Sequence, residues 1–296
     1  AQQREVAPRR FLRILAGADR DQFTEGSGRR QLAEAITHRD NPLTARVFAN
    51  RIWQHHFGRG IVATPSNFGK QGEAPTHPGL LDYLASKFIE SGWSTKTLHR
   101  EIMLSSTYQL STSNSDSNSN IDADNRFLWK MNRRRLDVEA WRDALLDVSG
   151  KLDRTFGGPS TNLADANNVR RTVYAKVSRH ELDNLLRLFD FPDANITSSK
   201  RSETTVPQQQ LFVLNSPFMV GQAKAFSARL HKEAPDSDEA RIRRGFMLAY
   251  GRPPVDKELE LGLAYLSSEA DPQSKLTLWQ SYAQVLLGSN EFMYLD

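Results

Sequence analysis

The stretch NPLTARVFANRIWQHHFGRGIVATPSNFGKQGEAPTHPGLLDYLASKFIESGWSTKTLHREIMLSSTYQL, Asn41–Leu110, decides the fold. From Asn41 the residues Ala45, Phe48, Ala49, Ile52 and His56 recur every three to four positions, the spacing of one helical stripe. Gly58 is placed to stop that helix, with Gly60 just beyond it. A loop rich in Gly and Pro runs from Thr64 to Pro78. A second helix then puts Leu80, Leu81, Leu84, Phe88 and Ile89 on a core face and ends at Gly92. Ser94 caps a third, which carries Leu98, Ile102 and Met103. Two helices in antiparallel succession, and no strand between them, point to an all-α chain.

The rest of the sequence extends that reading. Asn41-Pro42, Ser216-Pro217 and Asp271-Pro272 each combine a capping side chain with Pro at the first helical position, where a missing N–H leaves nothing unpaired. Val138, Trp141, Leu145 and Val148 mark a helix over 137–152. Further helices are predicted at 181–189, 207–214, 217–231, 238–250, 255–268 and 273–289. Thr172–Val177 is the one segment with strand-like alternation. The tract STSNSDSNSN, 111–120, has no apolar anchor and is expected to be a mobile loop. The fold class is therefore a multi-helix bundle with long irregular loops and at most one short strand or hairpin. Expected boundaries are an N-terminal extension or linker at 1–27, a main helical domain at 28–235 interrupted by a polar loop at 111–124, and a C-terminal helical subdomain at 236–296.

Composition narrows the function classes. At 296 residues and 39% hydrophobic content the chain can build a sizeable core. A mean hydropathy of −0.57 indicates a polar surface, and no apolar run reaches the ~18 residues of a membrane span. The absence of cysteine removes disulfides, thiolate metal sites and covalent haem attachment from this segment. A net charge of +4 is small for this length. It is unevenly placed: residues 1–30 hold seven Arg against four acids, and residues 251–296 three basic against seven acidic residues. The chain starts without an initiator Met or an apolar signal segment, as a piece of a longer polypeptide would.

No phosphate-binding loop, HExxH or GxSxG motif is present. His55 and His56 diverge by about 100° on a helix, so they cannot readily share a metal, and the remaining His spacings favour none either. His56 lies on the apolar stripe and is expected to be a core histidine. Asn50, Arg51, His55 and Arg59 gather near one helix end and could hold an anion; alternatively, Arg51 pairs with Asp82 and ties two helices together. Arg133–Arg135 is the sharpest basic cluster. Asp137, Glu139 and Asp143 follow within three turns, so an Arg135–Glu139 pair explains it better than nucleic acid does. A second polar group comprises Arg171, Arg179, His180, Asp190, Arg201, Thr205 and Gln208, in a Pro-punctuated segment expected to line any pocket and to face the Asn50–Arg59 helix end. Asp190 with His180 could serve as a general acid/base pair, although spacing alone does not require it.

Long blocks of the chain resemble a planctomycete-specific domain of unknown function. They are RRQLAEAITHRDNPLTARVFANRIWQHHFGRGIV, NFG, PTHPGLLDYLASKFIESGWSTKTLHREIMLSSTYQLS, DNRFLWKMNRRRLDVEAWRDALLDVSGKLD, LLRLFDFPDANIT, TTVPQQQLFVLNSPF and the terminal LLGSNEFMYLD. The resemblance runs from about residue 28 to the C-terminus; the polar insertion at 111–120 departs from it. It implies the C-terminal module of an exported protein, extracytoplasmic, whose upstream domains often include a cytochrome c-type haem domain. Any haem would then lie outside this segment. It carries over no catalytic residue. The leading expectation is a non-catalytic module that supports or binds a partner redox domain of the same polypeptide, or an extracellular polymer. The alternative is a hydrolase or oxidoreductase with an Arg/His/Asp site between helices.

Overall fold

The computed structural model describes residues 7–165 and 167–295, and they form fourteen α-helices and one two-stranded antiparallel sheet. The chain divides into two compact units, Ala1–Asn132 and Arg133–Asp296.

The first unit contains α1 (Arg13–Ala16), α2 (Arg29–Thr37), α3 (Thr44–Phe57), α4 (Pro78–Glu90), α5 (Thr95–Met103) and α6 (Asp116–Ile121). The predicted stripe of α3 buries Ala45, Ala49 and Ile52 against Leu81, Leu84 and Phe88 of α4 and Leu98 and Ile102 of α5. Each of the Leu, Ile and Phe side chains contributes about 1.5–3 kcal/mol by leaving water. Trp53 and Phe57 stack at 4.2 Å between ring centres, and Phe48 stacks on Phe88 at 4.8 Å. Gly58 ends α3 in the left-handed region (φ 78°), its N–H closing on the Gln54 carbonyl at 2.8 Å. The Ser94 hydroxyl accepts from the Thr97 N–H, as expected of a cap. Met103 stays half exposed instead of joining the core.

Two local expectations change. Asn41 does not cap α3 directly. Its Oδ1 accepts from the Leu43 N–H at 3.0 Å while its Nδ2 donates to the carbonyls of Ala35 and Ile36, so it fastens the end of α2 to the start of α3. The polar tract around 111–120 is not wholly loop: α6 forms there, with no buried residue.

The second unit contains α7 (Val138–Val148), α8 (Asn184–Leu188), α9 (Pro207–Asn215), α10 (Pro217–Glu233), α11 (Asp238–Ala249), α12 (Asp256–Leu266), α13 (Leu278–Gly288) and α14 (Asn290–Met293). Helix α10 is its axis. Ser216 caps it, and Met219, Ala223, Phe226 and Leu230 are wholly buried along one stripe. They share a single core with Trp141 and Leu145 of α7, Ile242 and Phe246 of α11, and Ala283 and Leu286 of α13. The chain divides at 132/133, and α11 and α13 bury their apolar faces in the same core as α7 and α10.

The sheet falls in an unexpected place. Strand β1 (Arg134–Arg135) pairs with β2 (Tyr294–Leu295), with Arg134 opposite Leu295 and Arg135 opposite Tyr294. The predicted strand at 172–177 is instead a 3-10 turn, Thr172–Tyr174, followed by an isolated bridge from Ala175 to Thr161. Its backbone is claimed by α7: the Asp143 carboxylate accepts both the Thr172 N–H and hydroxyl at 2.7 Å. Asp271 also starts no helix. Its carboxylate turns onto the Gln273 N–H, and α13 begins at Leu278, capped by Thr277 with Gln280 reciprocating. Residues 271–275 are exposed throughout and have no apolar face to bury.

Candidate functional site

The residues singled out from the sequence are divided between the two units. In the first, Asn50 is a buried clamp: its Oδ1 accepts from the Val62 N–H at 2.8 Å and its Nδ2 donates to the Val62 carbonyl at 3.0 Å. This pair folds the segment after Gly58 back onto α3. It requires glycine at position 60, where a Cβ would lie 2.6 Å from the Val62 carbonyl and 2.7 Å from Asn50 Nδ2. Arg51 and His55 are exposed, and their side chains make no hydrogen bond, ion pair or ring contact among the described residues. Arg59 reaches Glu73 at 3.4 Å. The helix-to-helix tie assigned to Arg51 is made by Arg46, whose Nε donates to Asp82 at 2.6 Å. His56 is half buried and shares a 2.8 Å hydrogen bond with His99.

In the second unit the polar side chains converge on both flanks of α7. At its first turn Glu139 receives both ends of the Arg201 fork, Nη1 at 2.7 Å and Nη2 at 2.8 Å. Asp137 adds a longer contact to the same guanidinium at 3.7 Å, and the Phe191 ring lies beneath it at 5.2 Å. Burial pushes the Glu139 carboxyl up, but the Arg201 hydrogen bonds, a bond from the backbone N–H of Glu139 and the Arg201 charge together outweigh it and hold the group below its ordinary value. The hydrogen bonds to Glu139 raise Arg201 in turn. The expected Arg135–Glu139 pair is thus displaced: Arg135 lies over Phe189, donates to the Thr204 carbonyl at 2.6 Å and stands 3.8 Å from Asp190.

Asp190 organises the loop after α8. It sits in the left-handed region (φ 63°), a strained position for a residue with a side chain. Its carboxylate accepts from the Thr204 N–H at 2.8 Å and the Thr204 hydroxyl at 2.7 Å. His180 is not among its partners; the His180 ring is exposed, as are Arg179, Thr205 and Gln208. The buried glutamine is the neighbour, Gln209, whose Nε2 donates to the Leu188 carbonyl at 2.9 Å. Once Arg135, Asp190 and Arg201 have closed on their partners, the space they line with Asp137 and Phe189 is a cavity of only about 20 Å³.

On the buried flank of α7, Arg142 is 1% exposed. It donates to the Arg170 carbonyl at 3.0 Å, to the Thr172 hydroxyl at 3.1 Å and to the Asn168 carbonyl. Phe218 lies 5.4 Å from the guanidinium carbon. Burial pulls Arg142 below its ordinary value, opposed by the charges of Asp143 and Asp183. Arg171 closes the arrangement at 3.5 Å from Asp143. Sequence reasoning missed Arg142, although its position carries a signal: it falls on the stripe of Val138, Trp141, Leu145 and Val148, where a cation has no reason to stand unless something buried needs its five donors. Also missed was Arg252, which divides four hydrogen bonds between Glu258 and Glu291 and so joins the start of α12 to α14; both carboxylates raise it, and Glu258 is lowered in return.

Among the described residues no three His, Asp or Glu side chains are grouped so that they could hold a metal ion. No helix of the described residues is long and apolar enough to cross a membrane.

This geometry defines a mostly helical protein in which Arg46, Arg142, Arg201 and Arg252 are held by carboxylates and carbonyls. Residues 28–266 match the family described as PSD1, Protein of unknown function (DUF1553), and the chain belongs to that family. No curated protein and no solved structure is significantly similar to it.

Proposed function

We propose that this chain is a non-catalytic helical module of an exported multidomain protein, supporting or binding a partner domain or an extracellular polymer. The closure of the polar groups carries the reading. Arg201 is forked onto Glu139, Asp190 onto Thr204 and Arg171 onto Asp143. The space of about 20 Å³ beside Asp190 is far below the roughly 300–1,000 Å³ of ordinary ligand pockets. Charges neutralised in this way orient loops and helices; they are not poised to bind an incoming group. The extracytoplasmic setting, the planctomycete origin and the cytochrome c-type haem domain upstream follow from the sequence resemblance, and they belong to the proposal on that basis.

The purified chain is predicted to turn over neither a panel of glycans nor redox substrates. Turnover that disappears in Arg51→Ala, His55→Ala or Asp190→Asn overturns the reading. The partner half of the proposal is tested by titrating the chain with the upstream domains of its own polypeptide, expressed separately, where saturable heat release is expected.

A further inference from the structure

We infer that His56, His99 and Met103 form a binding site for monovalent copper, held between α3 and α5 of the first unit; this goes beyond the module reading and does not depend on it. His56 stands near the end of α3 and His99 in the middle of α5, 43 residues apart in the chain, and packing brings His56 Nε2 to 2.8 Å from His99 Nδ1. The rings meet edge to face with centres 5.0 Å apart. Tyr108 walls one side, its ring 5.3 Å from His56 and 6.0 Å from Phe57. Both imidazoles are half buried, so the pair is reached from water on one side and backed by aromatic carbon on another.

Two imidazoles sharing a hydrogen bond already point a lone pair and an N–H at one spot. When His99 is the donor, its proton can move to Nε2, the nitrogen turned away from His56. That atom makes no hydrogen bond among the described residues and is placed to donate to water. Two lone pairs then face each other. Nitrogens bound to one ion at about 2.0 Å each lie roughly 3.3–3.5 Å apart, so the rings need to open by only about 0.6 Å.

No third imidazole or carboxylate joins the pair among the described residues. The third donor is a thioether. Met103 follows His99 by four positions, one turn along the same face of α5. Cα–Cβ bonds in a helix tilt toward its N-terminus, so the Met103 side chain leans back over the turn that carries His99. Met103 is 46% exposed, whereas Leu98 and Ile102 on the adjoining stripe are buried. A flexible thioether left half in water loses little packing by turning onto a metal.

The donor set selects the ion. Ca²⁺ and Mg²⁺ require oxygen ligands, which this set lacks. Structural Zn²⁺ is almost always held by four protein ligands. Imidazole with thioether is the soft, uncharged combination that favours Cu⁺, and a single positive charge asks least neutralisation from donors that carry none.

The test titrates the whole 296-residue chain, free of any affinity tag, with Cu⁺ under anaerobic conditions against a chromogenic copper(I) chelator. One ion per chain is expected. Losing a hydrogen bond that merely supports a metal ligand costs about 10–100-fold in affinity, so His99→Gln should raise Kd by about 100-fold or more and Met103→Leu by about tenfold. His38→Gln, an exposed histidine outside the site, should leave it unchanged. Met103→Leu conserves volume at a half-exposed position and is expected to keep the parent's unfolding midpoint, so it tests the site even if His99→Gln fails to fold. Copper K-edge absorption should show sulfur bonded beside nitrogen in the parent and nitrogen without sulfur in Met103→Leu. The inference is overturned if the parent takes no Cu⁺ from the chelator or binds Zn²⁺ more tightly than Cu⁺. Nitrogen-only coordination in the parent, or a Kd that Met103→Leu leaves unmoved, overturns it as well.

Discussion

Replacing Arg142 by Met tests whether one buried cation holds the irregular segment 153–175 against α7. The substitution keeps an unbranched side chain of fair length and removes every donor. Three acceptors lose their partner: the carbonyls of Asn168 and Arg170 and the Thr172 hydroxyl. Each buried acceptor left unpaired costs about 1–3 kcal/mol. Thr172 retains Asp143, and the Asn168 and Arg170 carbonyls lie at the edge of the core, where water can reach them, so the lower end of that range applies. Loss of the guanidinium also removes its own desolvation penalty, which offsets part of that sum. The expected net destabilisation is about 1–2 kcal/mol. With a urea slope of about 2 kcal/mol per molar, the midpoint should fall by about 0.5–1 M. Limited proteolysis should show new cleavage within 153–170, and Arg142→Lys should fall between the two because it keeps the charge and loses the fork. A midpoint within experimental error of the parent, with 153–170 still protected, would refute the reasoning.

Glu139→Gln should lower stability by about 2 kcal/mol at neutral pH, since the charge-assisted fork to Arg201 is lost. In the parent the Glu139 carboxyl lies below its ordinary value, so its contribution is complete above the usual carboxylate range and is lost as pH falls through the depressed one. Thermal unfolding between neutral pH and pH ~3 should therefore show an acid limb that is shallower in the variant. Gly60→Ala should cost about 2–4 kcal/mol, because the new Cβ meets the Val62 carbonyl and the Asn50 amide; Gly79→Ala, where the space is open, is the neutral control. Burial raises the Tyr250 and Tyr282 hydroxyls to about 12. An ultraviolet absorbance titration should find two phenols that ionise late. The stability they supply is full below the ordinary phenol range and lost as pH rises through it toward 12.

The apolar periodicity of α3, α4, α5, α7 and α10 was legible because each helix is written in contacts between residues three and four apart. The hydroxyls of Ser94 and Ser216 were legible for the same reason: each cap bonds an N–H three residues away. Other parts were hidden. Thr172–Val177 has strand-like alternation, yet its Thr172 backbone is taken by Asp143, 29 residues earlier. Asp271-Pro272 has the form of a cap, but nothing after it needs burial until Leu276. Of the candidate site residues, Arg201, Asp190 and Arg171 do enter the polar network of α7, while Arg179, His180, Thr205 and Gln208 remain on the surface.

Sequence by itself determined the helical class, the turns at Gly58 and Gly92, and the absence of thiol chemistry, because these follow from neighbouring residues and composition. Only the tertiary structure decided which charges meet. Arg46, not Arg51, reaches Asp82 across 36 residues, and Arg201, not Arg135, takes Glu139 across 62. A guanidinium on a long flexible stem can serve any carboxylate its helix brings near, so its partner is set by how the helices pack and not by what lies beside it in the chain.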